Sequence, residues 1–138
     1  MENHEYSVEF RVWGTAIEPD LITRELGLQP CQVRISGTSR FPGRVDLGMW
    51  AYDGGERDNI YWKSLEEGLE FVLTKLWPHR EAIARYKSRG EIIWWCGHFQ
   101  SSFDGGPSLS SDLLRKLGEF GAKLFIDNYF SDPGAPET

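Results

Sequence analysis

Three histidines, two cysteines and a few carboxylates near strand ends are the residues of this 138-residue chain whose types could do chemistry. His98 comes first. It stands at the exit of the apolar run Gly90 to Gln100, ahead of the loop Asp104-Gly105-Gly106, and strand ends beside glycine-rich loops are common ligand sites. An imidazole there could act as a base with Asp104 as its orienting carboxylate. The plainer role is a histidine that satisfies the strand end through hydrogen bonds. Cys96 shares a strand face with His98, but residues two apart are splayed, and apolar surroundings raise a thiol pKa rather than activating it. No catalytic residue is therefore assigned. His4 lies in a terminus expected to fray and His79 on a helix turn, so three histidines make no zinc set, and neither metal nor cofactor is expected.

A second group is suited to binding. Arg40 and Arg44 lie in the long loop from Ser36 to Leu47, with Arg34 just before it, among glycines and hydroxyls that could receive a phosphate or carboxylate. The loop lacks the lysine and helix placement of a phosphate loop. Asp127 and Tyr129 share a strand face with Phe125, and an acid among aromatics usually has a partner; the loop arginines are candidates. Six tryptophans are many for this length, and tryptophan is enriched at interfaces, which adds Trp50 to the candidate ligand-binding set of Arg40, Arg44, His98, Asp104, Asp127 and Tyr129.

The elements that must position these groups follow from periodicity. Tyr6 to Trp13 alternates as a half-buried strand. Glu18-Pro19-Asp20 opens a helix with Pro at its first position, Leu21, Ile22 and Leu26 as its stripe, and Gly27 as its stop. Gln32 to Ile35 and Met49 to Tyr52 read as short strands. Ser64-Leu65-Glu66-Glu67 is a capping box before a helix that Pro78 must bend near Trp77, continuing to a stop near Gly90. Ile92, Trp94, Cys96 and His98 line one side of the next strand and Ile93, Trp95, Gly97 and Phe99 the other; a strand apolar on both sides belongs inside a sheet covered twice. A helix capped near Ser110 or Ser111 and a last strand, Lys123 to Phe130, complete residues 1–130, with 131–138 expected to be a disordered tail. The order β-α-β-β-α-β-α-β predicts an α+β domain with ferredoxin-like elements, its mixed or antiparallel sheet packed by about three helices on one face. An echo between Asp20-Leu-Ile-Thr-Arg-Glu-Leu-Gly and Asp112-Leu-Leu-Arg-Lys-Leu-Gly raises a duplication of two strand-helix-strand halves.

Composition bounds the function classes. At 40% hydrophobic and 14% aromatic, one domain can bury a core without metal or disulfide. A net charge of -6 argues against a phosphate-backbone binder, so no nucleic acid is expected. No run approaches the roughly 20 apolar residues of a spanning helix, and the polar start carries no secretory pattern, so the expectation is a cytoplasmic protein with no membrane contact and free Cys31 and Cys96 thiols.

The succession resembles a bacterial family named for a domain of unknown function, number 4279. The resembling residues are Val12-Trp13-Gly14, Glu18 to Gly27 with Gln29-Pro30, Gly48-Met49-Trp50, the capped helix at Ser64-Leu65-Glu66-Glu67, and Phe125-Ile126-Asp127-Asn128-Tyr129. The resemblance implies a small free-standing protein and transfers no activity and no site residue. The surplus of aromatics without an acid, base and nucleophile set favours a non-enzymatic binding or protein-interaction module, through Trp50 or Trp62, with a protein partner or by self-association. An acidic domain of this size could neutralise a basic partner such as a toxin. The alternative is a small-molecule or hydrolytic site near His98, Asp104 and the arginine loop.

Overall fold

The computed structural model describes residues 4–37 and 47–130. Arg40 and Arg44, and the tail expected at 131–138, lie outside the described residues. The elements are β1 (His4–Gly14), α1 (Pro19–Leu26), β2 (Gln32–Arg34), β3 (Gly48–Tyr52), α2 (Leu65–Leu76), α3 (Arg80–Arg85), β4 (Glu91–Gln100), α4 (Ser111–Phe120) and β5 (Lys123–Phe130). They form an α+β fold around one five-stranded mixed sheet, ordered β2-β3-β1-β4-β5. β1 pairs antiparallel with β3 and β4, β2 antiparallel with β3, and β5 parallel with β4 across the α4 crossover.

Local chemistry sets the helix bounds. α1 begins at Pro19 and stops where Gly27 takes a left-handed φ of 69°, its amide returning to the Thr23 carbonyl. Ser64 Oγ accepts from the Glu67 amide at the start of α2 and Ser110 Oγ from the Leu113 amide at the start of α4. Pro78 sits in a 3-10 turn, Trp77–His79, which joins α2 to α3, as its missing N–H requires. The two echoing helices are not equivalent: α1 ends at its motif glycine, whereas Gly118 lies inside α4, which is capped by Gly121. Their strand partners differ too, since β4 and β5 are neighbours and β1 and β2 are separated by β3.

Tyr6, Val8, Phe10 and Val12 of β1, Trp50 and Tyr52 of β3, and Ile92, Trp94 and Cys96 of β4 form one buried cluster with residues from every described helix. The helices therefore cover one face of the sheet. β4 is interior, paired on both sides, but the double cover expected of it is not formed: Ile93 and Gly97 are buried while Trp95 and Phe99, on the helix-free face, are only half-buried. No described helix is long and apolar enough to cross a membrane.

The lower end of the sheet closes around Ile17, where backbones meet too closely for side chains. A Cβ at Gly48 would lie 2.0 Å from the Ile17 carbonyl oxygen, and one at Gly90 would lie 2.2 Å from the Trp13 carbonyl oxygen. Glycine is required there by approach, not by φ.

Candidate functional site

Two places gather the chemically capable residues: a histidine chain at the upper end of β4, and the helix-free face of the sheet. The histidine chain begins with β1, which pairs Tyr6 with His98 and so stacks the phenol on the imidazole at 4.7 Å. His98 is 4% exposed. Its Nδ1 lies 3.0 Å from Asn128 Oδ1 of β5, its Nε2 2.8 Å from His4 Nδ1, and His4 Nε2 lies 2.6 Å from the Asp104 carbonyl oxygen. Oxygen acceptors close this chain at both ends. Its three links then need three hydrogens, one more than two neutral imidazoles carry. The chain is complete either as a histidine pair bearing one positive charge or, with the Asn128 amide turned to present its NH2, as two neutral rings.

This arrangement is not the base and carboxylate pair that the sequence raised as an alternative to a histidine satisfied by hydrogen bonds. Asp104 contributes its backbone carbonyl, and to His4 rather than His98; His98 is sealed with both nitrogens engaged. Cys96 is fully buried, and burial pushes its thiol up to about 12, so it is no activated nucleophile for the imidazole. His4, expected to fray, is held in β1 opposite Gln100. Its position in the sequence hid it, since only the β1–β4 register brings it to His98. Trp50 is likewise no surface residue: it is 0% exposed in the core and donates from Nε1 to Thr23 Oγ1 at 3.0 Å. Trp62 is half-buried against Phe71 of α2 under the Arg57 guanidinium.

The helix-free face carries six aromatics, of which only Tyr129 belongs to the candidate set drawn from the sequence. Trp13, Trp95 and Phe125 form one row across β1, β4 and β5, with centroids 5.6 and 4.5 Å apart. Tyr61, Phe99 and Tyr129 form a second, at 5.4 and 4.9 Å. Phe125 is 38% exposed and Tyr129 47% exposed. Arg11 lies 4.6 Å over the Trp95 ring and donates from Nε and Nη2 to Glu9 Oε2 at 3.1 and 2.7 Å. Tyr129 donates its hydroxyl to Asp127 Oδ2 at 2.5 Å, and that bond to the carboxylate raises the phenol's pKa. Asp127 and Tyr129 are thus brought together, but their partner is each other and not a described arginine. Between the rows lies a depression of about 280 Å3.

The face is negatively charged at this point. Cys31, exposed as a residue, tucks its thiol against Glu9, with Sγ 3.5 Å from Oε1. Desolvation first, then the charges of Glu9 and Asp53, push it up to about 12. Chemically the face can hold planar or cationic groups on its rings and carboxylates.

A family model described as a domain of unknown function (DUF4279) matches residues 4–131. No curated protein and no solved structure matches the chain. Over nearly its whole length, then, the chain belongs to the DUF4279 family.

Proposed function

We propose that this protein is a non-enzymatic binding module whose docking surface is the helix-free face of the sheet, and that it takes a basic protein partner. One observation carries the reading: two rows of aromatic side chains lie on a sheet face that no described helix covers, although a sheet normally buries its apolar side chains against a second layer. Exposed aromatic rings with polar tips are enriched where one protein recognises another, and the surrounding acids favour a basic partner. The net charge of -6 favours a basic one and speeds its encounter.

The test is affinity capture from cells that make the protein, with the wild-type chain and the double variant Phe125→Ser/Tyr129→Ser as baits, followed by reconstitution from purified components. A basic protein that binds wild type and loses the double variant supports the reading. Recovery of the protein alone, or of a partner bound equally by both baits, overturns it.

A further inference from the structure

The depression beside Gly97 is small. Its volume of about 280 Å3 falls below the roughly 300–1,000 Å3 of drug-sized ligand sites and suits one long side chain. A Cβ on Gly97 would come within 2.6 Å of Ser7 Oγ and 2.9 Å of the Phe99 ring, so glycine is what lets these two side chains close the floor of the depression. Glu9, Arg11, Asp53, Tyr61 and Tyr129 stand around it, with Asp127 beside Gly97 in the β4–β5 register.

The charge balance selects the occupant. Arg11 is committed to Glu9 through two hydrogen bonds. Among the described residues, Asp53 accepts the Gly55 amide and Asp127 the Tyr129 hydroxyl, and neither pairs with a cation. An anion would be repelled here. The face also holds a worked example of what fits: the Arg11 guanidinium lies on the plane of Trp95 while its N–H groups grip a carboxylate.

We propose that the depression seats one arginine side chain of the basic partner, its guanidinium stacked on Tyr61 or Tyr129 and its N–H groups held by Asp53 and Asp127. This deepens the docking reading above and rests on it. Arginine is preferred to lysine because a planar fork can stack and hydrogen-bond at once, whereas an ammonium is a compact, strongly hydrated point charge.

The experiment titrates the 15N-labelled full chain with three capped nonapeptides that differ only at a central arginine, lysine or citrulline in a glycine and phenylalanine frame. Expected are shifts of the Gly97 amide and the Trp95 indole N–H with the arginine peptide. Citrulline, planar but uncharged, should bind about fivefold to tenfold more weakly, with lysine between. Asp53→Asn should shrink that preference. If citrulline and arginine peptides bind the face equally, the seat is overturned and the docking face stands. Arginine-dependent shifts that map elsewhere overturn the seat too. If no peptide moves the face, the seat is overturned as well, and the docking surface is judged by the two-bait capture.

Discussion

At the scale of single residues, two buried side chains, Trp50 and His98, depend on specific polar partners. Among the described residues the Trp50 indole N–H donates to Thr23 Oγ1 across the gap between β3 and α1. Thr23→Val keeps the shape and nearly the same helix propensity but orphans that donor, so it should cost about 1–3 kcal/mol in urea denaturation, with Thr23→Ser restoring most of it. A loss no greater than the serine variant's would show that the bond contributes nothing. His98 poses the same question with two partners. His4→Ala leaves its Nε2 unmatched and should also cost about 1–3 kcal/mol. Because His4 and Asn128 act through one ring, His4→Ala combined with Asn128→Leu should cost less than the two single losses added. Strict additivity in a double-mutant cycle would refute a shared chain.

At the scale of elements, the sheet is fixed by close backbone approach at its lower end and by one ion pair at its β4–β5 margin. In Gly48→Ala the new methyl would meet the Ile17 carbonyl oxygen at 2.0 Å, which no rotamer change relieves. The strand must move, and the variant should lose at least the roughly 1–3 kcal/mol typical of overpacking; wild-type stability would show that the β3 entry is not held against Ile17. Glu91 receives the Lys123 ammonium at 2.8 Å and the Trp13 indole N–H at 3.3 Å, and both hold its carboxyl below the ordinary carboxylate range. A folded pKa below the unfolded one gives stability that is full above the unfolded value, near 4.3 for Glu, and that fades as pH falls through the folded value. The side chain is 42% exposed, so solvent screening limits the contribution to about 0.2–1 kcal/mol. Glu91→Gln should therefore be less stable than wild type at neutral pH and equal to it at about pH 2. A gap of the same size at both pH values would assign the effect to packing.

At the scale of the molecule, one sheet has a layer on one side and open rings on the other. Phe125 and Tyr129 are far from fully buried, so each of Phe125→Ser and Tyr129→Ser should cost about 1–2 kcal/mol, whereas Phe120→Ala in the core should cost about 3–5 kcal/mol. Either single variant destabilising as much as the core variant would mean that the face is structural and not a docking surface. Much of this organisation was legible beforehand. Pro19, Ser64, Pro78 and Ser110 mark the helix boundaries because capping and a missing N–H act within a turn. Alternation marked β1 and its buried side because period-2 geometry is local. The site was less legible. Trp50 looked like a candidate ligand residue and is core; Trp95, in the most apolar run of the chain, looked buried and lies on the helix-free face.

What the sequence by itself determined is the set of elements, the helix caps and the α+β class, since each rests on hydrogen bonds, dihedral preferences and side-chain periodicity within a few residues, and the family, whose motifs succeed one another along the chain. Only the tertiary structure decided which side of β4 the helices cover and which distant residues meet, His4 with His98, Thr23 with Trp50, Glu9 with Cys31. Those meetings depend on strand order and register across gaps of 22 to 94 residues, and no local preference encodes which of two apolar faces a crossing helix will take.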